Sequence, residues 1–177
     1  YIGVLPDAPQ SFGNFLRIRI FDKVPFKNVY YLNGHATDLE EECTRYTSLL
    51  SQFPTDIVCL GIGENGHIAF NDPDVANFND HKLVKIVKLD HVCRQQQVNE
   101  KCFETLEQVP TEALTLTIPA LLKAKWMFCI VPFKNKSQAV YRTIHGDISE
   151  KCPASILRRK EKSSLYLDTE SAQLLNL

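Results

Sequence analysis

Residues 56–73 read Asp56-Ile57-Val58-Cys59-Leu60-Gly61-Ile62-Gly63-Glu64-Asn65-Gly66-His67-Ile68-Ala69-Phe70-Asn71-Asp72-Pro73. The first seven form a near-continuous apolar run, as expected of a parallel strand covered on both faces. Residues 61–73 hold three of the chain's seven glycines and then a histidine and an acid. Glycines let backbone approach a ligand closely and take positive φ. In open α/β sheets, ligands bind beyond the carboxyl ends of the strands, where this loop falls. Its amides suit an anion or developing negative charge.

Outward from this run, apolar β-rich stretches alternate with amphipathic ones. Residues 28–32 read as a strand, and 37–53 as a helix capped by Thr37 or Asp38, with acids in its first turn. Residues 82–89 place Leu83, Ile86 and Leu89 between lysines, a pattern open to helix or strand and read here as strand. A helix is predicted over 91–106, a strand over 113–117, and a short helix over 119–124 with Pro119 in its first turn. A central strand over 125–131, helices over 135–144 and 153–158, and a strand over 164–167 complete the reading. Such alternation means crossover units. The expected fold is α/β and Rossmann-like: a mostly parallel sheet with helices on both faces, residues 1–177 forming a single domain. The chain opens at Tyr1-Ile2-Gly3-Val4-Leu5-Pro6, as if entering part-way through a strand, so it is expected to be the C-terminal portion of a longer domain whose first strands lie upstream.

Composition narrows the function. The 44% hydrophobic and 23% charged residues suit a globular domain, and the net charge of -1 argues against a general nucleic-acid or anionic-membrane binder. No apolar run approaches the ~20 residues of a span. The six cysteines form no C-x-x-C pair and are expected to be reduced and mostly buried, in a cytoplasmic protein.

Within the loop, His67 alone titrates near neutral pH and can move a proton in either direction. If residues 68–71 form about one helical turn, Asp72 folds back to fix the imidazole tautomer. Asn65, Asn71 and Glu64 are placed to orient either partner or a sugar hydroxyl. The alternative is a tight turn around a satisfied histidine. The loop completes neither the G-x-G-x-x-G nor the P-loop pattern, and no second His or Cys stands nearby at metal-ligand spacing.

With its context, the loop resembles the glucosamine-6-phosphate deaminase (isomerase) family, whose signature runs G-x-G-x-[DN]-G-H-I-[AG]-F-N-E-P. Tyr1 to Pro6 is similar to its D-E-Y-x-G-L-P segment, with Ser11-Phe12 following in the usual place. Leu32-Asn33-Gly34 resembles its L-[ND]-G loop, Val109-Pro110 with Ala113-Leu114-Thr115 its V-P-x-x-A-L-T, and Pro153 to Leu157 its P-A-S-x-L. The resemblance implies deamination and isomerisation of glucosamine 6-phosphate to fructose 6-phosphate and ammonia, with no metal or organic cofactor. It implies that His67 assists ring opening, with Asp72 as its carboxylate partner in place of the usual Glu and Asn65 at a position that takes Asp or Asn. Gly63 and Gly66 would line the substrate, and Lys136 would bind its phosphate at a helix start. Lys101 falls where the family has an Arg, with Arg94 a weaker candidate and Lys134 a neighbour able to substitute. The residue that moves a proton between C1 and C2 is implied two positions ahead of Tyr1.

Two departures carry expectations. Asp72 is one methylene shorter than Glu, which predicts a longer bond to His67. Asn65 cannot ionise, which predicts no carboxylate–histidine–carboxylate relay. His35 is read as a turn residue, and His81, His91 and His145 as surface or capping histidines. Other readings stay open. A 6-phosphogluconolactonase shares the G-H core but continues T-A-S-L-F-P, unlike Ile68 to Pro73. A sugar-phosphate sensor would keep phosphate binding without turnover. The partner expected is a small sugar phosphate, with neither nucleic acid nor membrane, and a homo-oligomer is compatible with the sequence.

Overall fold

Three of the apolar runs zip into one parallel sheet. The computed structural model describes residues 1–176. Strands β1 (Ile57–Leu60), β4 (Trp126–Val131) and β5 (Ser163–Leu167) lie in the order β1-β4-β5. Cys59 stands opposite Phe128, and Phe128 opposite Ser164. Side chains alternate across the sheet. Met127, Cys129 and Val131 therefore point inward and are fully buried, packing with Val58, Leu60 and Leu165. Helices α4 (Ile118–Leu122) and α5 (Ser137–His145) and the 3-10 stretch Pro153–Arg159 close that side through Ile118, Leu121, Val140 and Ile156.

The other side corrects one reading. The run at 56–62 was expected to be covered on both faces, yet Ile57 is 55% exposed, Ile130 50% and Tyr166 53%. Cys59, expected in the core, is exposed there too. The residue pattern suits cover on both faces, and among the described residues the helices supply it on one. All six cysteines are free, and four are buried.

Strands β2 (Val84–Lys88) and β3 (Glu112–Leu116) form a separate antiparallel pair. Helix α2 (Leu39–Gln52) lies over it, burying Cys43 against Val84 and Leu114. Asp38 caps α2, accepting from the amides of Glu40 and Glu41 at 2.9 Å each. Residues 28–32, predicted as a strand, join no ladder. Side chains of α2 take their carbonyls instead: Arg45 binds that of Tyr31 and Tyr46 that of Tyr30. The stretch 12–21, which the sequence pattern left unassigned, coils as helix α1 (Phe12–Leu16) and one π turn (Arg17–Phe21).

The helix predicted over 91–106 is shorter. α3 (His91–Asn99) starts at the cap Asp90 and ends where Lys101 turns left-handed, φ +59°. There the Cys102 amide reaches the Gln97 carbonyl and the Lys101 amide that of Val98, both at 2.9 Å. That is a Schellman stop, which satisfies the last carbonyls and ends the helix. No helix among the described residues is long and apolar enough to cross a membrane.

Candidate active site

Beyond β1 the chain folds back on itself within seven residues. The Gly66 amide donates to the Gly63 carbonyl at 2.9 Å, and the Gly63 amide to that of His67 at 3.0 Å. The imidazole thereby lies directly on Gly63, where a Cβ would stand 2.1 to 2.4 Å from three ring atoms. Gly66 takes φ +93°, and a Cβ there would meet the Cys152 sulfur at 2.8 Å. These two glycines are required by contact, one for the ring and one for the turn.

The next residues differ from the helical turn expected between His67 and Asp72. Ile68 and Asn71 form an isolated bridge around a tight turn, with Ala69 at φ +51°. Buried Asn71 holds this turn, donating to the carbonyls of Ile68 at 3.0 Å and Leu116 at 2.9 Å, so it is structural rather than a substrate ligand. Asp72 still reaches the histidine.

His67 Nδ1 lies 2.8 Å from Asn65 Oδ1 and 2.9 Å from Asp72 Oδ1. The shorter side chain at 72 thus makes no long bond, contrary to expectation. Asn65 Nδ2 donates to Asp72 Oδ1 at 2.9 Å and to Asp90 Oδ2 at 2.7 Å. The Asp90 amide donates to Asp72 Oδ2 at 3.1 Å. Burial alone would push the Asp72 carboxyl up. The hydrogen bond and charge of His67, with the bonds from Asn65 and the Asp90 amide, outweigh burial and hold it below the usual carboxylate range. Asp72 is 1% exposed, whereas the His67 side chain keeps 12%. The ring keeps contact with solvent.

The surrounding residues divide. Lys136 is buried and pairs with Glu100 at 3.3 Å. It sits in the 3-10 turn Lys134–Lys136 that opens α5, and Glu64 ties that turn to the loop by accepting from Asn135 Nδ2 at 2.7 Å. Lys134 is exposed. Lys101 is exposed at the α3 stop and makes no side-chain hydrogen bond or ion pair among the described residues. Arg94 is spent on the carbonyls of Leu106 and Val109, pinning the loop after α3. His35, His81, His91 and His145 are all exposed, and the His35 amide closes a turn on Asn33 Oδ1 at 3.0 Å.

The loop pattern alone did not disclose Asp90, Cys93 or Glu100. Asp90 had a signal: it follows one predicted strand and precedes a predicted helix, the usual place of an acidic cap. Cys93 brings a sulfur within 4.8 Å of the ligand atoms of His67 and Asp72. Each of the three offers one atom that could ligate a metal ion. Nδ1 and Oδ1 stand close enough to share a proton, and burial, then the charges of Asp72 and Asp90, push the Cys93 thiol far up. A cavity of about 680 Å³ lies elsewhere, between α1 and residues 30–34, and meets the loop only through Phe70.

The profile of the glucosamine-6-phosphate isomerases/6-phosphogluconolactonase family matches residues 3–166. The glucosamine-6-phosphate deaminase of Bacillus cereus strain B4264 is 40% identical over 174 residues, 98% of this chain and 64% of the relative. That of Listeria innocua is 39% identical over 175 residues, 99% of this chain and 73% of the relative. The chain thus spans under two thirds of the Bacillus cereus protein. Among solved structures, a monomeric glucosamine-6-phosphate deaminase superposes with a TM-score of 0.91 at 36% identity, covering 98% of this chain and 71% of the other. The 6-phosphogluconolactonase of Trypanosoma cruzi shares the fold, with a TM-score of 0.73 at 18% identity, 98% of this chain and 69% of the other. The histidine loop, its buried acid and the family match along nearly the whole chain converge: this protein belongs to the glucosamine-6-phosphate isomerases/6-phosphogluconolactonase family.

Proposed function

We propose that the intact protein converts glucosamine 6-phosphate and water to fructose 6-phosphate and ammonia. One observation carries this reading. His67 Nδ1 faces two oxygen acceptors, at 2.8 and 2.9 Å, so it holds a proton and leaves Nε2 as a free base on a partly exposed ring. A free imidazole lone pair at the mouth of the sheet suits opening of a sugar hemiacetal. Nε2 takes the proton of the anomeric hydroxyl, the C1–O5 bond breaks, and the proton returns to O5. Asp72 stabilises the imidazolium formed in between. Transfer of the C2 proton to C1 falls to the carboxylate that the resemblance implies two positions ahead of Tyr1. Water then displaces the amino group at C2. Lys136, with Lys101 in support, would receive the phosphate, and Glu100 holds Lys136 in place until it arrives. The sequence His67-Ile68-Ala69-Phe70-Asn71-Asp72 favours this reading over lactone hydrolysis.

The test is ammonia release from glucosamine 6-phosphate by the intact protein, run beside acid release from 6-phosphogluconolactone. Turnover of the amino sugar, lowered about 10²- to 10⁴-fold by His67→Gln, supports the proposal. Turnover of the lactone alone, or hexose-phosphate binding with no turnover, overturns it.

A further inference from the structure

The non-ionising Asn65 argued against any relay with a second carboxylate, yet one stands directly behind the amide. Asp90 is 25 positions from Asn65 in sequence and accepts from its Nδ2 at 2.7 Å. Its other oxygen caps α3 through the Cys93 amide at 2.6 Å. An amide nitrogen has two hydrogens. Here both are taken by carboxylates, one on Asp72 and one on Asp90. Asn65 therefore cannot turn over, and its oxygen must face the histidine. There Oδ1 accepts the His67 backbone amide at 3.0 Å and meets Nδ1 at 2.8 Å. An oxygen offering only lone pairs demands a proton on Nδ1.

We infer that Asp90 is a positioning residue: through the Asn65 amide it fixes which ring nitrogen of His67 carries the proton. It touches no reacting atom. Its effect on turnover rests on the proposed ring opening, but its effect on the tautomer does not.

A mere helix cap would behave differently under one substitution. Asn caps helices as well as Asp, so Asp90→Asn leaves a capping role unharmed. With its oxygen on the Cys93 amide, however, the new side chain turns an NH₂ toward the NH₂ of Asn65. Two donors then face each other. Asp72 and the His67 backbone amide still keep Asn65 from reversing, so the side chain backs away from position 90, its oxygen loses its grip on Nδ1, and Asp72 alone is left to hold the ring proton. Asp90→Ser keeps a capping oxygen but is too short to reach Asn65, so it removes the support without adding a facing donor.

The experiment is nitrogen-15 NMR of the His67 ring in the intact protein, with steady-state kinetics on glucosamine 6-phosphate. Wild type is expected to carry the proton on Nδ1. Asp90→Asn is expected to shift it toward Nε2 and to lower kcat on the order of tenfold or more with KM little changed, the loss of one charge-assisted hydrogen bond. Asp90→Ser is expected to fall between. An Nε2–H ring in wild type, or an unchanged tautomer and kcat in Asp90→Asn, overturns the inference. A protein that releases no ammonia at all defeats the function proposed above, while the ring signals still decide this one.

Discussion

The loop at 61–73 and the arm at 12–34 both lie outside the strand ladders, and they are stabilised in opposite ways. The loop buries polar groups: Asn65, Asn71 and Asp72 are each under 10% exposed, and each is hydrogen-bonded to named partners. The arm exposes apolar ones: Phe12, Phe15, Ile18, Val24, Phe26 and Tyr30 are all at least 45% exposed. Polar burial is costly where bonds go unmade, and for that reason it admits few geometries. Apolar surface is indifferent to direction. The loop can therefore hold a proton on one chosen nitrogen, while the arm holds its place through a few side-chain bonds to α2.

The sharpest way to break the contrast is at Gly63. Alanine there would drive a methyl group into the imidazole, 2.1 Å from its nearest ring atom. The ring must leave the Asn65–Asp72 fork, and the histidine's general-acid/base contribution goes with it. Loss of about a thousandfold in kcat is expected, roughly 4 kcal/mol, measured as ammonia release. The arm, which does not touch Gly63, should keep its protease resistance. A wild-type rate would mean that the loop is as indifferent to geometry as the arm.

Next is Asp72→Asn, expected to cost about 3 kcal/mol in denaturant unfolding at neutral pH, as for breaking a buried charged pair. It should also change the response to acid. The folded-state value of Asp72 lies below its unfolded one, so its contribution is present above the unfolded carboxylate value and lost as pH falls through the folded one. Wild-type stability should drop over that acidic window, and the variant should drop less. Identical acid profiles would show that the buried carboxylate is not what holds the loop.

How much of this was readable beforehand follows the same division. The parallel strands announced themselves as apolar runs, and His67, Asp72 and Asn65 were legible because one short loop carries all three. Their distances were not, because the chain between them turns through Ala69 at φ +51°, a conformation alanine does not advertise. Asp90 stayed hidden because its partner is 25 positions away, and only the end of β2 brings them together. The bare face of the sheet was hidden for another reason: Ile57, Ile130 and Tyr166 are apolar whether or not anything covers them.

The arm offers a smaller test. Arg45 binds Glu42 twice, at 2.6 and 2.8 Å, and the carbonyl of Tyr31 at 2.8 Å, while Glu42 also receives the Asn33 amide at 2.7 Å. The Arg45 hydrogen bond outweighs burial and holds the Glu42 carboxyl below its usual range. Arg45 is half exposed, so Arg45→Ala is expected to cost only about 1–2 kcal/mol. Its sign should be local: faster proteolytic cutting within residues 12–34, with the His67 ring signals unmoved.

The least effect is expected at Lys101, and it probes both regions at once. This residue sits left-handed at the end of α3, a conformation that costs a side chain about 1 kcal/mol and glycine nothing. Lys101→Gly should therefore raise stability by about that amount, offset in part by the greater freedom of the unfolded chain. Its effect on KM for the sugar phosphate separates two roles. A rise of about tenfold would mean that the lysine meets the phosphate, and that the strain is tolerated because it aims the side chain. An unchanged KM would leave buried Lys136 to bind the phosphate without it, and the left-handed turn would then serve only to end the helix that Asp90 begins.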